Sequence, residues 1–244
     1  MSPIALVTGA SSGIGAATVR ALAERGFDTI AAARRLDRCQ ELAQEVGGSA
    51  IRLDVTDESS VSAMVEAIDE LDIIVHCAGG ALDLDHLSDA DLGRWREMYE
   101  ANVLGVVRVT QGLLGLIESS PRAHIVVVGS VAGVEVYPGG GGYAAAKHAV
   151  NAIVRTLRLE LLGRSIRVTE IAPGMVETEF SLVRFGGDEQ RASEVYRGLD
   201  PLSAADVAEV IAFALERPAH VNIDYVAIKP VAQATAMVAH RQQE

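Results

Sequence analysis

Lysine is nearly absent: among 244 residues the chain carries 21 lysines and arginines, and only Lys147 and Lys229 are lysines. Basic residues as a class are outnumbered by 33 acids, for a net charge of −12, which excludes a nucleic-acid partner held by bulk electrostatics. Cysteine is as scarce. Cys39 and Cys77 stand far apart in no CxxC pattern, which argues against a disulfide scaffold and fits a reducing compartment. The six histidines include no HxxxH or HExxH pair, so no metal site is expected. No apolar run approaches the roughly 20 residues that span a bilayer, so no membrane partner is expected either. Met1-Ser2-Pro3-Ile4 lacks the basic region and apolar core of a signal peptide, and the expectation is a cytoplasmic protein.

What is present is apolar: 49% hydrophobic against 22% charged residues, enough to bury a sizeable core in a single domain over 1–244. Short apolar, β-branched runs predict strands at 4–7, 27–32, 50–53, 72–76, 124–128, 166–171 and 225–228. Helix-period stretches at 13–24, 36–46, 59–69, 92–117, 144–162 and 204–216 alternate with them. Strands alternating with helices imply right-handed crossovers, hence a doubly wound α/β fold with one parallel sheet covered on both faces. The runs at 73–75 and 125–128 are apolar without alternation, as expected of central strands buried on both sides.

Thr8-Gly9-Ala10-Ser11-Ser12-Gly13-Ile14-Gly15 follows the first strand and opens the first helix. Glycines here let the backbone turn sharply and approach a pyrophosphate, and the free N–H groups of a helix start supply donors. The spacing is GxxxGxG, neither GxGxxG nor a triphosphatase loop, and in isolation it also suits an ordinary tight turn. Its place after the N-terminal strand favours a dinucleotide site. An NAD site carries an acid at the end of the second strand to hold the ribose. Here that strand ends in Arg34-Arg35, an arginine pair suited to clamp a 2′-phosphate, so NADP is the expected cofactor.

Gly129-Ser130 ends a buried strand, where such a sheet places its ligand crevice. Tyr143 and Lys147 follow as YxxxK, and the i, i+4 spacing puts both on one helical face. A phenol with a reference pKa near ~10 is a poor base at neutral pH, but a nearby ammonium stabilises its phenolate. A serine hydroxyl can donate to a carbonyl oxygen as charge develops on it. That one of only two lysines falls four residues after this tyrosine speaks against a chance surface residue. Ser130 is not a hydrolase nucleophile: GSxxG is not the GxSxG elbow. His148, beside Lys147, belongs to another helical face.

Taken together, the TGxxxGxG loop, Asp54, Ala78-Gly79, Asn102, Ser130, Tyr143, Lys147 and Pro173-Gly174 resemble the short-chain dehydrogenase/reductase family, in order and over essentially the whole chain. The resemblance implies a Rossmann fold with Gly9, Ser11, Ser12, Gly13, Ile14 and Gly15 around the cofactor. It makes Tyr143 the general acid or base, Lys147 its partner and a ribose ligand, Ser130 the holder of the substrate oxygen, and Asn102 a water-bearing relay. Asp54 and Val55 would flank the adenine, with Ala78, Gly79, Pro173, Gly174 and Val176 along the cofactor and Thr178 at its carboxamide. Asp54 also suits a helix N-cap, and Asn102 a helix kink. One departure stands out: the family's Asn-Asn-Ala-Gly reads His76-Cys77-Ala78-Gly79, which removes a strand-bracing amide.

The C-terminal third is similar to the NADP-dependent 3-hydroxy acid (serine and allo-threonine) dehydrogenases, in Glu179 to Asp188, Arg217 to Ile223 and Pro230-Val231-Ala232-Gln233. That implies a small 3-hydroxy acid as substrate, such as serine or 3-hydroxypropanoate, a lid at about 175–199, and Arg184 as carboxylate anchor. Other readings are a 3-oxoacyl or other ketone reductase and, from another class, a non-catalytic NADP-binding sensor. The resemblance further implies a homotetramer, for which the apolar stretch at 92–117 and the small residues after Tyr143 offer helical surfaces.

Overall fold

The computed structural model describes residues 2–242. In chain order the elements are β1 (Ile4–Thr8), α1 (Gly13–Glu24), β2 (Asp28–Ala33), α2 (Leu36–Val46), β3 (Ser49–Arg52), α3 (Glu58–Glu66), β4 (Ile73–His76) and α4 (Leu92–Tyr99). There follow α5 (Gly105–Ile117), β5 (His124–Val128), α6 (Gly141–Glu160), β6 (Arg167–Pro173), α7 (Glu179–Arg184), α8 (Glu189–Glu194), α9 (Ala204–Leu215) and β7 (Tyr225–Ile228). The strands form one parallel sheet in the order β3-β2-β1-β4-β5-β6-β7. This is the doubly wound Rossmann architecture expected.

Each central strand is apolar on both faces because each face has its own helical layer. Leu6, Ile74, Ile125, Val127 and Val168 point to one side, against Met64 of α3, Val109 and Leu113 of α5 and Val150 and Val154 of α6. Ala5, Val7, Ile73, Val75, Val126 and Ile171 point to the other, against Val19 and Leu22 of α1, Leu42 of α2 and Ile211 and Leu215 of α9. Alternation disappears from the sequence because both sides are dry.

The order reverses between β1 and β4, so their carboxyl ends open a crevice at the switch point. The glycine loop leaves β1 there, and Ala78-Gly79 leaves β4 beside it. The missing strand-bracing amide has substitutes. The buried Thr8 Oγ1 accepts from the backbone N–H groups of Cys77 and Ala78, each at 3.1 Å. His76 Nε2 lies 3.0 Å from Thr110 Oγ1 and ties β4 to α5; burial drives this histidine down to about 3, so it is neutral.

The helices expected at 59–69 and 144–162 run over Glu58–Glu66 and Gly141–Glu160, and two further differences from the sequence reading bear on the site. The stretch 92–117 is interrupted: α4 passes into a π-helical turn, Glu100–Leu104, before α5 begins. Asn102 sits in that turn, so the helix-kink reading of it holds. Asp54 is not a helix cap. Asp57 caps α3 through Ser59 N, and Asp54 Oδ1 instead accepts from Thr56 N at 3.0 Å and Thr56 Oγ1 at 2.7 Å. Of the apolar residues in 92–117, Val103, Val106, Leu113 and Ile117 are consumed by the chain's own core, leaving Leu104, Val107 and Leu114 half-exposed. Among the described residues, no helix is long and apolar enough to cross a membrane.

Candidate active site

A cleft of about 1230 Å³ runs along the carboxyl edge of the sheet. Its walls include every residue singled out from the sequence: the glycine loop, Arg34, Arg35, Asp54, Val55, Ala78, Gly79, Asn102, Ser130, Tyr143, Lys147, Pro173, Gly174, Val176, Thr178 and Arg184. The tertiary fold thus gathers positions spread over most of the chain.

The floor at one end is backbone. Gly9 has a φ of 67°, which only glycine adopts without strain, and a Cβ on Gly15 would stand 2.4 Å from Gly9 O. The start of α1 is left uncapped, because Ser12 makes no side-chain cap bond and its first-turn N–H groups face the cleft without that partner. An open helix start in a glycine cradle fits a pyrophosphate. Above it, Arg35 Nε donates to Ser11 Oγ at 3.1 Å and another of its nitrogens donates to Ser12 Oγ at 2.8 Å. Arg35 also reaches Glu179 at 3.0 Å, and Arg38 reaches the other oxygen of the same carboxylate at 2.8 Å. Two guanidiniums converge on one anion, which fits a 2′-phosphate as well as a carboxylate. Arg38 and Glu179 were missed in the sequence, although Arg38 lies one helical turn after Arg35.

At the other end the reacting groups meet. Ser130 follows β5, and its Oγ accepts from Ala132 N at 3.1 Å, which pins the side chain at the start of a short turn. Tyr143 and Lys147 stand one turn apart near the start of α6. Burial pushes the Tyr143 phenol up, while the Arg184 cation and a hydrogen bond with Ser130 pull it back. The buried Lys147 Nζ donates to Val128 O at 3.0 Å and lies 5.8 Å from the centroid of the tyrosine ring. Desolvation lowers it to about 8, against the opposing attraction of Glu170.

Arg184, at the end of α7, lies against two rings that meet edge to face, 5.3 Å from the Tyr143 centroid and 4.8 Å from that of Phe180. Its guanidinium donates to Tyr137 Oη at 3.2 Å, and its Nε is buried without a partner. A cation acting on the phenol is therefore this arginine of α7, which helical spacing around Tyr143 does not reveal. Asn102 uses its whole amide on its surroundings: Nδ2 donates to Gly80 O at 2.8 Å and Met98 O at 2.7 Å, and Oδ1 accepts from Gly80 N at 3.2 Å. His148 is exposed, with Nδ1 on Ala144 O at 2.9 Å, and takes no part in the cleft.

Residues 3–184 match the family model described as short chain dehydrogenase. The chain is 57% identical to an uncharacterized oxidoreductase of Mycobacterium tuberculosis over 96% of this chain and 93% of that protein. It is 42% identical to sulfoacetaldehyde reductase 2 of Chromohalobacter salexigens, covering 96% of each chain. Among solved structures, the closed form of serine dehydrogenase complexed with NADP+ is similar at a TM-score of 0.93 and 36% identity, over 98% of this chain and 100% of that one. Sequence motifs, sheet order and cleft agree with these likenesses, and the chain belongs to the short-chain dehydrogenase/reductase family of oxidoreductases.

Proposed function

We propose that the protein is an NADP(H)-dependent dehydrogenase/reductase that interconverts the alcohol and carbonyl forms of a small substrate bearing an acid group, of which a 3-hydroxy acid such as serine or 3-hydroxypropanoate is the leading example. The observation that carries this reading is the placing of Ser130, Tyr143 and Lys147 in one cleft beneath an arginine with a buried, unpartnered Nε. Serine dehydrogenase and sulfoacetaldehyde reductase, by name, act on molecules that carry an acid group near the reacting carbon. A guanidinium such as that of Arg184 suits either acid, through paired N–H donors.

The residues present fit this cofactor: the glycine cradle and open start of α1 would hold the pyrophosphate, and Arg35 with Arg34 or Arg38 the 2′-phosphate. When bound, NADP(H) supplies or accepts the hydride. Ser130 holds the substrate oxygen by donating a hydrogen bond to it. Tyr143 gives its phenolic proton to that oxygen in reduction and takes it back in oxidation. The cations of Lys147 and Arg184 stabilise the phenolate left behind. Asn102 braces Gly80 and the π-helical turn, so a relay water there would be held by its backbone carbonyl. The segment of about 175–199, with α7 and α8, forms the lid that brings Arg184 over the substrate and excludes water. Assembly would be a homotetramer through the half-exposed parts of α5 and α6.

The test is an absorbance assay at the reduced-nicotinamide band, offering serine, 3-hydroxypropanoate, 2-hydroxyethanesulfonate and a neutral secondary alcohol, each with NADP+ and then NAD+. Turnover of a substrate bearing an acid group with NADP+ alone is expected. Arg184→Ala should raise KM for the acids by about tenfold or more, as for a lost charge-assisted hydrogen bond, and leave KM for the neutral alcohol little changed, while kcat falls for both as the phenolate loses a cation. Equal effects on the two KM values would remove Arg184 as the carboxylate anchor. No turnover with NADPH still bound would favour the sensor.

A further inference from the structure

Glu170 is an acidic residue buried inside a parallel sheet, one strand in from its edge. It lies on β6, beside Val127 of β5 and Tyr225 of β7, and is 1% exposed. Its Oε2 accepts from Asn151 Nδ2 at 2.8 Å, and its Oε1 is enclosed without any hydrogen-bond partner. A carboxylate so placed is expensive, and neither a helix end nor a strand register calls for it.

What surrounds it gives the reason. A Cβ on Gly129 would stand 2.2 Å from Oε1, so the carboxylate lies against the backbone of the strand end Val128-Gly129-Ser130. Val128 O takes the Lys147 ammonium, and Ser130, next along the chain after Gly129, acts on the Tyr143 phenol. Asn151 sits one turn after Lys147 on the same face of α6, so the amide that anchors Glu170 shares its helix with the lysine.

The charged and titratable groups facing this carboxylate are Lys147, Arg155 and Arg158 from α6 and Tyr225 from β7. Arg158 is already engaged with Asp224 at 3.3 Å, and Arg155 is exposed. Lys147 is the buried one, and the groups whose charge acts on it are Glu170 and Cys77. Burial pushes the Cys77 thiol up to about 12, so it supplies no anion near neutrality.

Building on the function proposed above, we propose that Glu170 is a positioning residue for Lys147, the buried counter-charge that keeps the lysine charged beneath the Tyr143 phenol. It touches neither substrate nor cofactor and acts only through the lysine.

The near absence of lysine makes the test direct. Protein labelled with 13C at lysine Cε has two such signals, from Lys147 and Lys229, and Lys229→Arg assigns them. The Lys147 midpoint is followed by NMR against pH in wild type, Glu170→Gln and Glu170→Asp. In Glu170→Gln, which keeps an acceptor for Asn151, the midpoint should fall by about one pH unit or more. Glu170→Asp should restore most of it. Glu170→Met, apolar and of similar volume, reads the same midpoint should the glutamine variant fail to fold. An unchanged or raised midpoint in the folded variant overturns the proposal. This readout needs no substrate, so it stands apart from the fate of the proposed reaction. With turnover in hand, the acid limb of the alcohol-oxidation profile should move to higher pH in Glu170→Gln, because an uncharged lysine no longer stabilises the phenolate. An unmoved limb would count against Glu170.

Discussion

Replacing Thr8 by valine deletes one hydroxyl and leaves the β-branched shape in place. That hydroxyl is fully buried at the end of β1 and accepts from the N–H groups of both Cys77 and Ala78 at 3.1 Å. Cys77 and Ala78 are only partly buried and line the cleft, so water can make good part, but not all, of what the two donors lose. A fully buried donor left unpaired costs about 1–3 kcal/mol, so two partly buried ones, each in the lower half of that range, predict a loss of about 2–4 kcal/mol. For a chain of this size each kcal/mol lowers Tm by about 2–4 °C, so a fall of roughly 4–16 °C follows. The assay is urea unfolding, read as a change in midpoint at constant slope, beside the wild type and Thr8→Ser. Serine keeps the acceptor and loses one methyl group, for about 1 kcal/mol. NADPH affinity should fall in the valine variant and hold in the serine variant, because the braced segment leads into Gly79. A loss under about 0.5 kcal/mol for valine, or equal losses for both, would refute the claim that Thr8 replaces the missing asparagine brace.

His76 and His124 are buried and held near 3, so each folds neutral, whereas an unfolded histidine titrates near 6.5. The unfolded chain therefore binds more protons between those values, and stability is full above pH 6.5 and lost as pH falls toward 3. Near pH 5 the two histidines together predict a slope of about 2.7 kcal/mol per pH unit, which His76→Asn should halve in urea titrations. A slope unaffected by that change would contradict a neutral buried His76. Glu179→Gln should tighten NADPH binding several-fold by freeing Arg35 and Arg38, with NADH binding unchanged in calorimetric titration. Weaker NADPH binding would show that the carboxylate aids the cofactor rather than competing with it.

Much of the site is legible in the sequence because its signals are local. The glycine loop is eight consecutive residues, Tyr143 and Lys147 are one helical turn apart, and the Arg34-Arg35 pair directly follows a strand. What escaped reading depends on pairs distant in the chain. Glu179 meets Arg35 from far along the chain, and Arg184 reaches Tyr143 only through the path of α7. Glu170 lies in the expected strand 166–171 among other polar residues, Arg167 and Thr169, and nothing local tells that Asn151 and Lys147 wait on the facing helix. The π-helical turn at Glu100–Leu104 is equally hidden, since an apolar period through 92–117 describes a regular helix just as well.

Alone, then, the sequence determined the alternating strands and helices, the parallel sheet, the glycine cradle and the Ser130, Tyr143 and Lys147 set. These follow from periodicity, from glycine's freedom at positive φ and from side-chain chemistry, all of which act within a few residues. Only the tertiary structure decided which charges face one another: Glu179 with Arg35 and Arg38, Arg184 over Tyr143, and Glu170 behind Lys147. Charge interactions depend on separation and burial in space, and those are set by how β5, β6 and α6 pack, not by their order along the chain.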